Sequence, residues 1–134
     1  MAHDQCAHKV GTDSVLLGSW VDCANAQRVL DIGSGSGVIS LMIAQRSRAH
    51  IDGVEIDTAA ASQSKQNVRH SPWSDRIFIH EQRIQDFKPL QPYDLIVTNP
   101  PYFLNSLREP DASRTLSRHT DSLSLDTLCL FAHQ

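Results

Sequence analysis

Residues 28–37, RVLDIGSGSG, decide the fold of this 134-residue chain. Residues 28–32, in which Val29, Leu30 and Ile32 are apolar, predict a strand, and the glycines that follow end that strand abruptly. Residues 38–46 then carry apolar side chains at helical spacing, among them Ile39 and Ile43, which predicts a helix. A strand, a glycine loop and a helix in this order direct backbone N–H groups and a helix N-terminus towards a ligand.

The glycine pattern excludes two common nucleotide-binding loops. A dinucleotide fingerprint that starts at Gly33 requires a third glycine where this chain has Val38, and no G-K-[ST] triplet of a Walker loop follows. The second strand is predicted at Ile51–Ile56 and carries Glu55 near its end. A carboxylate about 20 residues beyond a glycine loop is suited to bind both ribose hydroxyls of an adenosine ligand. Asp57 is predicted to cap the next helix, from Thr58 to about Arg69.

A second informative stretch is DLIVTNPPY, residues 94–102. The apolar residues Leu95–Val97 predict a strand that is buried on both faces. Pro100 and Pro101 cannot continue a central strand because each lacks an N–H. We therefore expect the chain to leave the sheet at Asn99, at the carboxyl end of the strand, where open α/β sheets bind ligands. An amide, two prolines and a tyrosine predict a slot for a planar group with amine hydrogens.

The remaining segments complete a prediction of one α/β domain with a parallel, doubly wound sheet. A first helix is predicted with Thr12 or Asp13 as its N-cap, and a third strand is predicted at Arg76–His80. Strands that alternate with helices imply right-handed crossovers. Residues 103–121 predict a solvated or substrate-facing loop, and a last helix is expected from residue 122 to residue 134.

Composition narrows the classes of function. A net charge of -3 argues against a globally basic nucleic-acid binder, so a nucleic acid would have to meet a local basic patch. The three cysteines are widely spaced and form no C-x-x-C pair, so neither a disulfide framework nor a metal site is expected. No apolar run approaches the length of about 18 residues that a membrane span needs. We expect a cytoplasmic protein with no membrane segment.

Several short motifs carry a resemblance to a known family. They are the run from His3 to Trp20, the glycine loop, Val54-Glu55-Ile56, Ser71-Pro72-Trp73 and Asn99-Pro100-Pro101-Tyr102. With these motifs the chain resembles the bacterial tRNA adenine-N6 methyltransferases that modify adenine 37 of a valine tRNA. They belong to the class I S-adenosylmethionine-dependent methyltransferases. The N-terminal run and Ser-Pro-Trp are specific to that family, whereas the other motifs are shared more widely.

The resemblance implies a Rossmann-like fold with strand order 3-2-1-4, a tRNA substrate and S-adenosyl-L-methionine as the methyl donor. It implies that Asn99 and Pro100 accept hydrogen bonds from the adenine amine, while Tyr102 stacks on the base. It also implies that Thr12 lies near the methionine end of the cofactor. The full set of implied cofactor-binding residues is Thr12, Asp31, Gly33, Ser34, Gly35, Gly37, Glu55, Ile56 and Asn99.

Two features depart from the family pattern. Arg83 stands where family members usually have an acid that seats the cofactor's adenine, although Asp86 follows closely. A complete fold of this class has seven strands, and this chain ends inside the helix after the fourth. We therefore expect residues 1–134 to form one incomplete domain, with an N-terminal turn and helix (1–24) and a cofactor-binding core with the Asn-Pro-Pro-Tyr loop (25–134). Strand four is then expected to be an exposed edge that permits self-association.

Three alternatives remain open at this point. The Asn-Pro-Pro-Tyr motif also serves enzymes that methylate a glutamine amide in proteins, and a close variant serves guanine-N2 methyltransferases of ribosomal RNA. Local chemistry does not separate these targets, because each is planar and carries N–H groups; only the flanking motifs favour tRNA. The third alternative is an inactive cofactor-binding fragment.

Overall fold

The computed structural model describes residues 11–100. Its four strands form one parallel sheet in the order β3-β2-β1-β4, which confirms the predicted fold class and strand order. Tyr102, the predicted loop 103–121 and the predicted last helix lie outside the described residues. The elements in chain order are α1 (Thr12–Trp20), β1 (Arg28–Ile32), α2 (Val38–Arg46), β2 (His50–Glu55), α3 (Thr58–Arg69), β3 (Ile77–Glu81), a 3-10 turn (Ile84–Asp86) and β4 (Leu95–Thr98).

The central strand β1 sets the register of its two neighbours. Ile32, the last residue of β1, pairs with Val54 of β2 and with Thr98 of β4. The Thr98 hydroxyl donates to the Ile32 carbonyl at 2.9 Å and so fixes the end of β4 against β1. Consequently the glycine loop after β1, Glu55 at the end of β2 and Asn99 after β4 lie at one edge of the sheet.

Helices α1, α2 and α3 lie on one face of the sheet. Helix α1 packs on α2 at Gly18, where an added Cβ would lie only 2.6 Å from Met42 Sδ. The Arg46 guanidinium donates to the Gly18 carbonyl at 2.7 Å, so the C-terminal part of α1 is held to α2 by packing and by a hydrogen bond. The core on this face includes Val29, Ile39, Ile43, Ile51, Ile77 and Val97.

The opposite face carries a smaller apolar cluster and a polar group around Asp52. The Asp52 carboxylate accepts a hydrogen bond from Tyr93 Oη at 2.7 Å and lies 2.8 Å from His80 Nε2. Burial opposes ionisation of Asp52, but its hydrogen bonds to His80 and Tyr93 and the neighbouring His50 together lower its pKa. The apolar cluster on this face consists of Leu30, Ile32, Val54, Ile84 and Phe87.

The helix starts test the predicted caps. The prediction that Thr12 or Asp13 caps α1 is wrong, because Gly11 occupies the N-cap position. Gly11 has no side chain that could accept a backbone N–H of the first turn. Both residues lie inside the first turn, where the negative charge of Asp13 favours the positive end of the helix dipole. The cap predicted for α3 is confirmed: Asp57 Oδ1 accepts the Ala60 N–H at 2.8 Å.

The predicted bounds of two strands differ from the structure by one residue. Strand β2 runs from His50 to Glu55 rather than from Ile51 to Ile56, and His50 pairs with Arg28 at the start of β1. Strand β3 runs from Ile77 to Glu81 rather than from Arg76 to His80, since Glu81 pairs with Glu55. The division of the chain at residues 24 and 25 stays a prediction.

Candidate ligand site at the carboxyl edge of the sheet

The glycine loop is tied to the neighbouring strand through its main chain. The N–H groups of Gly33 and Ser34 both donate to the Val54 carbonyl, at 2.8 and 3.2 Å. The Gly37 N–H closes the loop on the Ser34 carbonyl at 2.8 Å, immediately before α2 begins at Val38. The sequence prediction of strand, glycine loop and helix is therefore confirmed, and the loop is anchored to both β1 and β2.

Two glycines of this loop have different surroundings. Gly35 has φ +55, and a Cβ added to it would meet nothing within 4 Å. Gly37 has φ +85 and is buried, and its added Cβ would lie 2.6 Å from Ser64 Oγ on α3. Gly35 thus lies beside open space, whereas Gly37, also expected to line the cofactor, is packed against α3.

Glu55 connects the loop to the start of α3. The residue is only 9% exposed, and its Oε2 accepts the Gly35 N–H at 2.7 Å. Its Oε1 accepts the Asp57 N–H at 2.9 Å. A carboxylate oxygen has two lone pairs, so each oxygen keeps acceptor capacity for a ligand hydroxyl. Ile56, the next expected cofactor residue, is half-buried directly after β2.

Asp31 lies beneath the loop rather than on its open side. Its side chain is fully buried, and Oδ2 accepts the Ser40 hydroxyl in the first turn of α2 at 2.7 Å. Burial raises the pKa of Asp31 to about 6; the bond from Ser40 opposes this rise, and the charge of Glu55 adds to it. Among residues 11–100, Asp31 Oδ1 and Ser34 Oγ have no hydrogen-bond partner. The structure therefore gives Asp31 a supporting position, without an open path to a ligand.

Asn99 forms a hydrogen bond with α1. Its side chain is half-buried, and Nδ2 donates to Ser14 Oγ in the first turn of α1 at 2.9 Å. Thr12, expected near the cofactor, is exposed in the same turn, and the half-buried Pro100 follows Asn99. The site therefore combines the glycine loop, the end of β2, the end of β4 and the start of α1, which are distant from one another in sequence.

Arg83 forms an ion pair with Asp86. Its Nε lies 3.2 Å from Asp86 Oδ2, and both side chains are more than half exposed. An exposed pair of this kind contributes little to stability, typically about 0–1 kcal/mol. The pair places a carboxylate beside Arg83, at the position where the resemblance led us to expect an acid.

Ser14 and a polar face of α3 were missed from the sequence. Asn67 is buried and donates from Nδ2 to the Ser36 carbonyl at 2.9 Å, which holds the glycine loop from the α3 side. Gln63 and Ser64 are also buried on this helix. Polar side chains on a helix usually face solvent, so the sequence pattern carried no signal for this contact.

Over the described range 11–100, no helix has the length and apolar character to cross a bilayer. The same range holds no group of three or more His, Cys, Asp or Glu side chains arranged around a metal position.

The strand order, the glycine loop after the central strand and the acid at the end of β2 define the Rossmann-like fold of S-adenosylmethionine-dependent methyltransferases. Solved structures share it. Protein arginine methyltransferase 10 of Arabidopsis thaliana matches 69% of this chain and 27% of its own, with TM-score 0.59 and 23% identity. A Geobacter sulfurreducens SAM-dependent methyltransferase in complex with S-adenosyl-L-homocysteine matches 69% of this chain and 39% of its own, with TM-score 0.58 and 20% identity.

The chain belongs to the methyltransferase small domain family, whose model matches residues 5–122. A Yersinia pseudotuberculosis relative named tRNA1(Val) (adenine(37)-N6)-methyltransferase is 57% identical over 132 residues, which cover 96% of this chain and 52% of the relative. A relative of the same name from Parabacteroides distasonis is 50% identical over 128 residues, covering 94% and 54%. The chain thus spans about half the length of these curated relatives.

Proposed function

We propose that this chain forms the cofactor-binding and catalytic part of an enzyme that uses S-adenosyl-L-methionine to methylate N6 of adenine 37 in a tRNA. One observation carries the proposal: Asn99 lies at the same sheet edge as the open side of Gly35 and the carboxylate of Glu55. An acceptor for amine hydrogens is therefore next to a site suited to an adenosine ligand. The names of the relatives support tRNA adenine as the target.

The residues at this edge fit S-adenosyl-L-methionine. The space beside Gly35 admits a ligand close to the main chain, and a Cβ there would enter that space. The Glu55 oxygens each retain acceptor capacity for a ribose hydroxyl. When bound, the cofactor supplies a methyl group on a positively charged sulfur. Ile56, directly after β2, and Thr12, in the first turn of α1, are further proposed binding residues.

Asn99 and Pro100 are proposed to prepare the adenine amine. That amine is a poor nucleophile, because its lone pair is delocalised into the ring. Asn99 Oδ1 and the Pro100 carbonyl accept its two N–H bonds, which draws the nitrogen towards tetrahedral geometry and aims its lone pair. Proline fixes φ at position 100 and so stiffens the second acceptor. Orientation supplies most of the rate enhancement in this scheme, and no strong general base is required.

Tyr102 closes the same motif in the sequence, and we propose that it stacks on the adenine. Stacking of a base on an aromatic side chain contributes about 1–3 kcal/mol per base in single-stranded recognition. The target base must be unstacked to reach the motif, and anticodon loops offer bases in that state. With tRNA as the substrate, we also propose the cytoplasm as the place of action.

The proposal is tested by transfer of a labelled methyl group from S-adenosyl-L-methionine to total tRNA. We expect Asn99→Ala to lower the rate by about 10²-fold or more, the loss typical of one oriented polar group in an active site. Gln91→Ala, an exposed position in the connector before β4, serves as the matched control and keeps the wild-type rate. Incorporation that is unaffected by Asn99→Ala contradicts the mechanism. Label found in protein instead of RNA assigns the site to a glutamine amide.

We further propose that this chain, studied by itself, self-associates through β4. Within the described residues, β4 is at the border of the sheet and has a strand partner on one side alone. An unpaired strand edge is a template for pairing with another chain. Size-exclusion chromatography with light scattering is expected to give a mass above that of one chain. A stable monomer at every concentration contradicts the proposal.

A further inference from the structure

We propose that the groove between α3 and β3 binds the phosphate backbone of the tRNA near the target adenine, through Lys65 and Arg69. This inference rests on the proposed function and adds to it a surface that positions the RNA. The observation that carries it is a groove of about 410 Å³ that is lined by these two cations, with no carboxylate among the described residues that line it.

The groove lies between one helix and the outer strand of the sheet. Lys65 and Arg69 of α3 line one side, and residues Ile77–His80 of β3 line the other. Asp75 and Glu81 flank this stretch of β3 but do not line the groove. Lys65 and Arg69 are both exposed, and they lie on the same side of α3 with a rise of about 6 Å between them. Two neighbouring phosphates of one strand can therefore contact the pair.

Both cations are available to an anionic ligand. Within residues 11–100 neither Lys65 nor Arg69 takes part in an ion pair, unlike Arg28 and Arg83. Helix α3 itself contains no Asp or Glu that could compete for them. Since the whole chain has a net charge of -3, a nucleic acid needs a local basic patch, and this helix face provides one.

The groove is within reach of an RNA strand whose base lies at Asn99. Helix α3 begins at Thr58, three residues after Glu55, so Lys65 lies about 10 Å along the helix from the ligand site. Strand β3 is three strand positions from β4, about 14 Å across the sheet. A few nucleotides of a loop span that distance. The contacted phosphates therefore belong to nucleotides close to the target, where they position the RNA without reading its sequence.

The open edge of β3 suggests an alternative occupant. The Ile51 N–H bonds the Arg76 carbonyl, so alternate residues of β3 face β2, and the main chain of Ile77 and Ile79 faces outwards. An extended acidic peptide can pair with such an edge. We assign the groove to RNA because its charges lie on α3 and not along the strand, and because the proposed substrate supplies the phosphates.

The test measures how salt changes the affinity of the protein for an anticodon stem-loop RNA, from about 50 to 200 mM, with S-adenosyl-L-homocysteine at saturation. Each lost phosphate contact lowers the slope of log affinity against log salt concentration by about 0.7, which is about 5-fold in affinity at 0.1 M salt. Lys65→Ala and Arg69→Ala should each show this loss, and the double variant should lose about 25-fold. In methyl transfer, KM for tRNA should rise while kcat changes little.

Two variants and one measurement act as controls. Lys65→Arg keeps the charge and should keep the wild-type slope. Lys88→Ala removes an exposed cation from the connector before β4, outside the groove, and should bind RNA as wild type does. Calorimetric binding of S-adenosyl-L-homocysteine should be the same in every variant, so a weaker affinity for RNA is not due to damage to the fold.

The outcomes separate this inference from the proposed function. A double variant with the wild-type affinity and slope shows that the groove does not contact RNA, and a lower affinity with an unchanged slope shows that phosphates are not what it contacts; either overturns the inference. Binding of a poly-glutamate peptide that the double variant loses, with RNA binding unchanged, assigns the groove to a peptide and also overturns it. Wild type that binds RNA with the expected salt dependence but transfers no methyl group contradicts the proposed function and leaves the groove assigned to RNA.

Discussion

Gly37 and Ser64 meet where α3 packs against the glycine loop, and they allow the packing of this loop to be tested quantitatively. A Cβ on Gly37 would lie 2.6 Å from Ser64 Oγ but 3.6 Å from Ser64 Cβ, which is an ordinary contact distance. Ser64 is fully buried, and its hydroxyl has no hydrogen-bond partner within residues 11–100. A methyl group at position 37 therefore overlaps the hydroxyl oxygen of Ser64 and not its Cβ.

The magnitudes follow from these distances. Gly37→Ala places a side chain at φ +85, where left-handed backbone costs about 1–2 kcal/mol. The overlap with Ser64 Oγ adds about 1–3 kcal/mol, as overpacking in cores does. Ser64→Ala removes the overlapping atom and a buried unpaired hydroxyl, so by itself it should raise the free energy of unfolding by about 1 kcal/mol. The double variant should keep only the backbone cost.

Urea unfolding of wild type, both single variants and the double variant measures the coupling between the two sites. We expect a coupling free energy of about 1–3 kcal/mol, equal to the overlap that Ser64→Ala relieves. Gly35→Ala is the matched control, because Gly35 also has positive φ but an added Cβ meets nothing within 4 Å. It should show no coupling to Ser64→Ala. A coupling below about 0.5 kcal/mol for the pair refutes the packing argument.

Three further variants test other parts of the structure. Glu55→Gln removes the negative charge that accepts the Gly35 N–H, so the free energy of unfolding should fall by about 2 kcal/mol. Calorimetry should also show weaker binding of S-adenosyl-L-homocysteine. Unchanged binding contradicts the proposed contact of Glu55 with the ribose. The pKa of Asp31, about 6 in the folded protein against 3.8, means that the folded state binds its proton more tightly than the unfolded state. Wild type should therefore lose up to about 3 kcal/mol of stability as pH rises from 4 through 6. Urea unfolding across that pH range should show that Asp31→Asn lacks this loss. Parallel pH curves for the two proteins would refute the raised pKa of Asp31. Tyr93→Phe removes the donor to the nearly buried Asp52 carboxylate and should lower the free energy of unfolding by about 1–3 kcal/mol in the same assay, whereas no change would show that this bond does not stabilise the sheet face.

Sequence was a reliable guide where neighbouring residues determine the structure. The glycines after Arg28–Ile32, the prolines after β4 and the cap at Asp57 each act within a few residues, through φ preference, a missing N–H or a local hydrogen bond. Their consequences for strand ends and for the α3 start were predicted and confirmed. The convergence of the glycine loop, Glu55 and Asn99 at one edge then followed from parallel strand order.

The contacts that refine the site join residues far apart in sequence. The hydrogen bond between Ser14 and Asn99 joins the start of α1 to the residue after β4, and no local sequence pattern encodes that approach. Glu55 accepts the Gly35 N–H, because the loop folds back over the end of β2. The buried Asn67 on α3 is a third case, because its side chain donates to the Ser36 carbonyl of the loop. The pattern of apolar and polar residues would instead predict that Asn67 faces solvent.

Identification of the methylated nucleoside distinguishes adenine N6 from guanine and from a protein glutamine as the target. The protein is incubated with tRNA and S-adenosyl-L-methionine carrying a deuterated methyl group, and the RNA is digested and measured by mass spectrometry. We expect deuterated N6-methyladenosine confined to the anticodon loop, abolished by Asn99→Ala and retained in Gln91→Ala. Label on a guanine, or on a protein glutamine with none in tRNA, would contradict it.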